Sequence, residues 1–259
     1  MLNKSPLISV ITVVKNGEMY LEEAIKSLHS QSYQNFEHIV IDGCSTDKTL
    51  EIIKKYKSKI SYFISEKDDG IYDGFNKGMR EAKGDYIGFL NSDDVLLPEA
   101  FSILKKYILQ NDYPDFIFGA VKKHWGVLHG YKKWKVKFSW GFYSSHSTGF
   151  YIRTSSAKLV GDYNLKYKYS SDYDYLYRMI VKNKLRGVAT TKEEVFGIFR
   201  RGGFSSKIKF VDHFKEEIQI RIDNNQSKFL IFIIVLYKFI KHIDKFFYHF
   251  LDRIKKKNR

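Results

Sequence analysis

Residues 84–94 read Gly-Asp-Tyr-Ile-Gly-Phe-Leu-Asn-Ser-Asp-Asp, and this stretch predicts a fold and a site together. Residues 86–90 are apolar apart from one glycine, which is typical of a short buried strand. The strand delivers Asp93 and Asp94 to its carboxyl end, the edge at which α/β sheets bind ligands. No Lys or Arg occurs from residue 91 to residue 97, so a divalent cation that carries a diphosphate is one way to neutralise the pair. A solvated pair of helix-capping carboxylates in a loop is the other.

Three strand–helix pairs precede this stretch and predict the fold class. The predicted strands cover residues 7–14, 36–41 and 60–65, and the predicted helices cover residues 20–30, 45–56 and 71–82. Sequential right-handed crossovers turn such an alternation into a parallel sheet. We therefore expect an α/β fold with a Rossmann-like, mostly parallel sheet flanked by helices.

A polar side chain follows each predicted strand. Asn16 follows the first strand, Asp42 the second, Asp68 the third, and Asp93 with Asp94 the fourth. Because the carboxyl ends of parallel strands meet at one edge of a sheet, these groups converge on one crevice, which indicates a binding site. Asn and Asp also suit turns, an explanation that covers one or two of these positions but is strained for all of them.

The amino-acid composition and two missing motifs limit the classes of function that fit this protein. The chain of 259 residues has a formal charge of +15, with 44 Lys and Arg against 29 Asp and Glu. Such an excess suits nucleic acid, anionic lipid or a phosphorylated substrate. The single cysteine, Cys44, excludes an internal disulfide framework and fits a reducing compartment. The sequence lacks a Gly-x-Gly-x-x-Gly fingerprint after the first strand and a P-loop, which weighs against a dinucleotide dehydrogenase and a P-loop enzyme.

Two basic segments in the second half of the chain indicate a surface for an anionic partner. Residues 122–139 mix Lys with Trp, Tyr and Phe, which suits a basic aromatic face or an amphipathic edge hairpin with solvated lysines. We favour the hairpin for most of these lysines taken singly. From residue 229 onward, Lys, His and Arg recur at helical spacing among Leu, Ile and Phe. A basic amphipathic helix suits an anionic membrane surface, and packing on the domain or on a second subunit is the alternative.

We expect no signal peptide, because residues 1–8 have no long apolar core. The longest apolar run, residues 229–237, is far shorter than the ~20 residues of a spanning helix. We expect a cytoplasmic protein that is peripheral on the inner face of the plasma membrane.

Four motifs, in order and suitably spaced, resemble those of the family 2 glycosyltransferases. They are residues 8–12, 39–49, 66–78 and 89–94. The resemblance is dense over the first half of the chain and looser up to about Ser206. It implies the GT-A fold and an inverting enzyme that depends on a nucleotide sugar. The metal motif of the family usually begins with Asp, whereas here its first position is Asn91, and we expect Mg²⁺ or Mn²⁺ to be held by Asp93 and Asp94.

The resemblance also implies roles for individual residues. Asp172, in the first turn of a helix that Ser170 or Ser171 is predicted to cap, corresponds to the general base of the family. The family commonly pairs this Asp with a Glu, whose position here is Ser171. The expected donor-binding residues are Asn16, Asp42, Asp68, Asn76, Lys77 and Asp93. The candidate contacts to the acceptor or the diphosphate are His146, Asp174 and Arg201, and a structural role is the alternative for His146.

We divide the chain into a GT-A domain, residues 1–210, and a helical, basic amphipathic tail, residues 211–259. Within the domain, residues 1–97 would bind the nucleotide sugar and residues 98–210 the acceptor. The predicted reaction moves one sugar from a nucleotide-diphosphate sugar to a hydroxyl of a glycan or a polyprenyl-diphosphate-linked acceptor in bacterial surface polysaccharide synthesis. The Gln-x-x-Arg-Trp motif of processive synthases is missing, which favours a single transfer.

Two alternatives to a glycosyltransferase stay open. A nucleotidyltransferase would need a Gly-rich basic loop after the first strand, which residues 15–18 do not supply. A basic module that binds nucleic acid or membrane would leave the acidic strand ends unexplained. We expect no nucleic-acid partner.

Overall fold

The structure, a computed structural model, describes residues 5–138, 146–200 and 209–244. The strands are β1 Ile8–Val14, β2 Phe36–Asp42, β3 Tyr62–Ser65, β4 Tyr86–Phe89, β5 Val95–Leu96, β6 Phe116–Phe118, β7 Ala120–Lys123, β8 Gly126–Leu128, β9 Phe150–Arg153, β10 Gly187–Ala189 and β11 Val195–Ile198. The helices are α1 Leu21–His29, α2 Thr49–Lys55, α3 Ile71–Glu81, α4 Ala100–Gln110, α5 Lys133–Phe138, α6 Thr154–Val160, α7 Ser171–Tyr177, α8 Phe210–Asp223 and α9 Lys228–Lys241.

The large sheet has seven strands in the order β10-β6-β9-β4-β1-β2-β3. The first four strands of the chain pair in parallel, as their alternation with helices predicts. β9 runs antiparallel between β4 and β6. The predicted α/β fold with a mostly parallel central sheet is therefore confirmed.

The centre of the sheet is buried on both faces. All seven residues of β1 are buried, which accounts for its continuous apolar, β-branched sequence. Helix α3 approaches β1 closely because two glycines face the strand. A Cβ atom at Gly74 would lie 2.5 Å from Val13 Cγ1, and one at Gly78 would lie 2.4 Å from Ile11 Cγ2. The glycines thus bring α3 against the strand whose carboxyl end forms part of the candidate site.

The smaller sheet has four strands in the order β5-β11-β7-β8. β7 and β8 form an antiparallel hairpin, as expected for the start of the basic aromatic segment. Residues 133–138 form α5 instead, so the hairpin prediction is wrong for this part. Val136 of α5 is fully buried, and its carbonyl accepts a hydrogen bond from the Tyr173 hydroxyl (3.2 Å), which shows that tertiary packing selects the helix.

The last two described helices pack on the rest of the chain and on each other. The Glu216 carboxylate of α8 accepts hydrogen bonds from the backbone N–H groups of Lys168 and Tyr169, each at 2.8 Å. Helix α9 packs against α8, and Ile231 and Ile234 of α9 are buried. No helix in the described ranges is long and apolar enough to cross a bilayer. Residues 245–259 of the predicted tail lie outside the described residues, and the division at residue 210 stays a prediction.

Candidate active site

The polar residues that follow β1 and β2 are joined by hydrogen bonds at one edge of the large sheet. Asn16 adopts a positive φ of 53°, and its side-chain Oδ1 accepts the backbone N–H of Thr46 at 2.8 Å. The Asp42 side chain is fully buried, and its carboxylate accepts the hydroxyls of Ser45 at 2.5 Å and Ser65 at 2.6 Å. Asn16 and Asp42 therefore fix the shape of the loops around this edge.

Asp68, which follows β3, lies directly over Gly43. A Cβ atom at Gly43 would lie 2.3 Å from Asp68 Oδ2, so a side chain at residue 43 would displace the carboxylate. The other carboxylate oxygen accepts the Gly70 N–H at 3.2 Å. The structure thus brings Asp68 together with the ends of β1 and β2, as the strand pattern predicts.

Asn76 and Lys77, which were predicted to contact the donor, have their polar atoms engaged by other parts of the chain. Asn76 is 2% exposed, and its amide donates to the Tyr163 carbonyl (2.9 Å) and accepts the Tyr163 N–H (2.7 Å). Lys77 Nζ lies 2.8 Å from Glu66 and 3.2 Å from Asp73. These contacts give both residues a structural role in the packing of α3.

Asp94 is a buried carboxylate surrounded by protein donors. Its Oδ2 accepts the Thr148 hydroxyl at 2.6 Å and the Asn91 amide at 3.1 Å, and its Oδ1 accepts the Arg200 N–H at 3.1 Å. Burial raises the pKa of Asp94 to about 7, although these hydrogen bonds oppose the shift. The arrangement ties the loop after β4 to Thr148, which precedes β9, and to Arg200, which follows β11.

Asp93, the neighbouring residue, is only half-buried, and no other residue in the described ranges donates a hydrogen bond to its carboxylate. Burial raises the pKa of Asp93, while its own backbone N–H and the charge of Arg200 oppose the shift. The Arg200 guanidinium pairs with Glu23 at 2.9 Å. Asp93 therefore has lone pairs available to a cation.

Asn91, at the first position of the metal motif, has a structural reason to be an amide. Its Nδ2 donates to Asp94 Oδ2 (3.1 Å) and to Ser147 Oγ (2.8 Å). A carboxylate here would face the Asp94 carboxylate without a proton between them. The remaining atom, Oδ1, is buried and accepts no hydrogen bond from the described residues.

The oxygens of Asp93 and Asn91 suit a hard divalent cation or its water ligands. No three His, Cys, Asp or Glu side chains in the described part of the chain cluster closely enough to hold a metal ion. Of the two predicted ligands, Asp93 accepts no hydrogen bond from another described residue, whereas both oxygens of Asp94 accept hydrogen bonds.

His146 lies beside this loop with a neutral imidazole. Its Nδ1 is 3.1 Å from Ser147 Oγ and 3.4 Å from Asp94 Oδ2, and its ring lies 4.4 Å from that of Phe199. Burial and the charge of Lys123 lower the pKa of His146 to about 3. The contact with Asp94 is therefore not an ion pair.

Asp172 is held by a residue of helix α3. Its Oδ1 accepts the Tyr72 hydroxyl of α3 at 3.2 Å and the Tyr173 N–H at 2.8 Å. Among the described residues, none donates a hydrogen bond to its Oδ2. Burial raises the pKa of Asp172, and the Tyr173 N–H and the Tyr72 hydroxyl oppose the shift. A carboxylate with one oxygen oriented and the other available can accept a proton.

Ser170 lies at the N-cap of α7 and Asp172 in its first turn, as predicted. The serine side chain, however, makes no capping hydrogen bond. Its Oγ lies 3.0 Å from Nδ1 of His213, on α8. The hydroxyl thus links two helices, a contact that a local sequence pattern does not reveal.

Asp174 lies one turn into the same helix and is buried, with 2% of its side chain exposed. Its carboxylate accepts hydrogen bonds from Arg178 Nε and Asn224 Nδ2, each at 2.8 Å. This pairing gives Asp174 a structural role that is independent of the predicted contact with the acceptor or the diphosphate. Arg201, another predicted contact, lies outside the described residues.

Sequence reasoning missed Tyr72 and Thr148 as partners of the site carboxylates. Tyr72 precedes Asn76 by four residues, so the two lie on one face of α3. That face reaches Asp172 through Tyr72 and Tyr163 through Asn76. The helical spacing was a usable signal for Tyr72, whereas Thr148 had none.

Comparison with known proteins identifies the family. Residues 9–202 match the model of Glycosyl transferase family 2. An uncharacterized glycosyltransferase of Methanocaldococcus jannaschii is 30% identical over 217 residues, which cover 79% of this chain and 75% of that protein. The putative teichuronic acid biosynthesis glycosyltransferase TuaG of Bacillus subtilis is 38% identical over 97 residues, 36% of this chain and 38% of that protein. An uncharacterized glycosyltransferase of Haemophilus influenzae is 42% identical over 109 residues, so the chain matches 44% of its length.

Solved structures show the same fold. The S. aureus TarS structure has a TM-score of 0.66 at 19% identity, over 88% of this chain and 42% of that chain. Mannosyltransferase PcManGT from Pyrobaculum calidifontis, in complex with GDP-Man and Mn²⁺, has a TM-score of 0.61 at 15% identity, over 85% of this chain and 64% of that chain. At these identities the likeness concerns the fold alone, and it confirms the expected GT-A architecture.

Proposed function

The chain belongs to glycosyl transferase family 2, and from this premise we propose that it moves one sugar from a nucleotide-diphosphate sugar to an acceptor hydroxyl. The observation that carries the proposal is the 3.2 Å contact between the Tyr72 hydroxyl and Asp172 Oδ1. This contact joins the candidate base to the helix that contains the third family motif. The acceptor we propose is a glycan or a polyprenyl-diphosphate-linked glycan of a bacterial surface polysaccharide.

Similarity to known proteins supports the proposed classes of donor and acceptor. TuaG is named for teichuronic acid biosynthesis, and a TarS structure is a complex with UDP-GlcNAc. PcManGT, in contrast, is in complex with GDP-Man. We therefore propose a nucleoside diphosphate as the common part of the donor. We further propose that the protein works as a peripheral protein on the cytoplasmic face of the membrane, where a polyprenyl-linked acceptor would lie.

On the donor side, Asn16, Asp42 and Asp68 would shape the edge that receives the nucleoside. Asp93 and Asn91 would hold Mg²⁺ or Mn²⁺, while Asp94 would keep their loop in place through its own hydrogen bonds. When bound, the cation would supply positive charge to the diphosphate leaving group.

On the acceptor side, Asp172 Oδ2 would take the proton of the acceptor hydroxyl as that oxygen attacks the anomeric carbon. The bond from the anomeric carbon to the diphosphate breaks, and its electron pair leaves with the nucleoside diphosphate. Attack from the face opposite the leaving group inverts the anomeric configuration. One base is enough for this step, and no second carboxylate is needed as a covalent nucleophile.

The proposal is tested by thermal unfolding with UDP, GDP and dTDP, each with and without Mn²⁺. We expect one nucleotide to raise the melting temperature only when the metal is also present, because ligand at 100 times its Kd stabilises a fold by about 2.7 kcal/mol. The matching nucleoside monophosphates are the control, since they lack the second phosphate. A response to none of the diphosphates would contradict the donor site, and release of pyrophosphate from a nucleotide substrate would favour a nucleotidyltransferase.

A further inference from the structure

Helix α9 carries a wide apolar face on the side away from α8. We call this surface the α9 face. It consists of Phe229 (73% exposed), Phe232 (63%), Ile233 (38%), Leu236 (48%) and Ile240 (65%). These residues recur at spacings of three and four, so they share one side of the helix. Soluble proteins rarely expose a contiguous apolar patch of this kind unless it binds something.

The charges around the α9 face are basic. Residues 228–243 contain three Lys and one His, and no Asp or Glu. Lys228 and Lys241 are exposed and lie at the two ends of α9. Lys238 is on the opposite side, where it pairs with Glu217 of α8. The exposed acid Asp244 follows only at the end of the described residues.

A second basic aromatic segment lies beside the corner between α8 and α9. The carbonyl of Lys137, the penultimate residue of α5, accepts hydrogen bonds from Arg221 Nη1 (3.0 Å) and Gln226 Nε2 (2.6 Å). Helix α5 also carries Lys133, Lys135 and Trp134, and Trp134 is 53% exposed. Trp is enriched where proteins meet the headgroup level of a bilayer.

We propose that the α9 face docks on an anionic lipid bilayer, with α9 lying in the plane of the interface. The apolar side chains would enter the boundary between headgroups and acyl chains, and the exposed lysines at the two ends of α9 would meet anionic headgroups. The positive charge of the helix favours this occupant over a basic or neutral surface. The 14 residues of α9 span about 21 Å, less than the ~30 Å of a hydrocarbon core, so the helix lies on the membrane instead of crossing it.

Docking through α9 would also orient the candidate base. Helix α8 holds the segment before Asp172 through the His213–Ser170 contact and through Glu216. A lipid-linked acceptor would then meet Asp172 at a defined height above the bilayer. This inference rests on the peripheral location in the proposed function and deepens it, whereas the α9 face and its charges define the docking surface without reference to the donor site.

The test is cosedimentation of the full chain with vesicles of phosphatidylcholine alone and of phosphatidylcholine mixed with phosphatidylglycerol. We expect binding to the mixed vesicles, and we expect Phe229→Ser/Phe232→Ser/Ile240→Ser to weaken it by at least about tenfold, since apolar burial and headgroup attraction act together. The matched control is Phe63→Ser/Leu159→Ser, which removes exposed apolar side chains (44% and 63%) from β3 and α6. Lys228→Glu/Lys241→Glu should weaken binding to the mixed vesicles specifically.

Three results would overturn the inference. They are absence of wild-type binding to the mixed vesicles, equal binding by the triple variant, and a wild-type dimer that the triple variant converts to a monomer. The last result would assign the α9 face to a second copy of the chain. Nucleotide-dependent thermal shifts report on the donor site separately, so a failure of membrane docking and a failure of the proposed function give different results.

Discussion

Two short segments of the protein each present a pair of acids, and each pair divides in the same way. In residues 91–94, Asp94 is buried and its carboxylate accepts hydrogen bonds from other residues. Asp93 is half-buried, and its carboxylate accepts none from another described residue. In residues 170–174, Asp174 is buried against Arg178 and Asn224, and Asp172 is half-buried. One acid of each pair holds the loop or helix in place, and the other is available to a substrate or an ion.

The two available acids differ in how they are oriented. Among the described residues, no other residue donates to Asp93, whereas Oδ1 of Asp172 accepts both the Tyr72 hydroxyl and the Tyr173 N–H. A cation ligand needs its lone pairs unoccupied. A general base needs one oxygen fixed so that the other faces the proton. The comparison thus separates a cation site from a proton-transfer site by their hydrogen bonds.

The largest expected effect is that of Asp172→Asn. The amide can still accept the Tyr72 hydroxyl but cannot take a proton, so kcat should fall by about 10²–10⁴-fold. Metal-dependent nucleotide binding, measured by thermal shift, should be nearly unchanged. The matched control is Asp174→Asn, which should instead lower the melting temperature because it weakens the pairing with Arg178. A near wild-type kcat for Asp172→Asn would show that Asp172 is not the base.

The second largest expected effect distinguishes the role of Asp93 from that of Asp94. Asp93→Asn should raise the metal concentration that the nucleotide-dependent thermal shift requires by about 10–100-fold, a range known for changes around metal sites. Its melting temperature without ligand should stay at the wild-type value, because no hydrogen bond from another described residue is lost.

Asp94→Asn is the control for Asp93→Asn and should show the opposite pattern. It places an amide among the Thr148, Asn91 and Arg200 donors, and should cost about 1–3 kcal/mol of unfolding free energy. Unfolding in urea measures the loss. If Asp94→Asn kept full stability but lost the metal response, the assignment of the two acids would be reversed.

Much of this arrangement was predictable from the sequence, because it is local. The apolar run of β1, the helix–strand alternation and the polar strand ends predict the parallel sheet and the edge at which Asn16, Asp42 and Asp68 meet. The fold prediction needed only periodicity and the residue types at strand ends.

The division within each acid pair was not predictable, because it depends on residues that are distant along the chain. Thr148 is 54 residues from Asp94, and Arg200 is 106 residues from it. Asn224 is 50 residues from Asp174, and Tyr163 is 87 residues from Asn76. A sequence shows that a carboxylate or amide is present, but the donors that surround it are known only once the chain has folded.

The smallest effect, and the sharpest test of the oriented acid, is that of Tyr72→Phe. The variant keeps the ring and removes the hydroxyl that contacts Asp172, so kcat should fall by about tenfold, or ~1.4 kcal/mol, with little change in KM for the donor. The base acts only when ionised, so activity is lost as the pH falls through the pKa of Asp172, which burial has raised. Because the Tyr72 hydroxyl lowers that pKa, its removal should move the acid limb of the kcat–pH profile to higher pH. Tyr62→Phe, on the edge strand, is the control. A lower kcat with an unmoved acid limb would mean that Tyr72 supports the packing of α3 and does not orient the base.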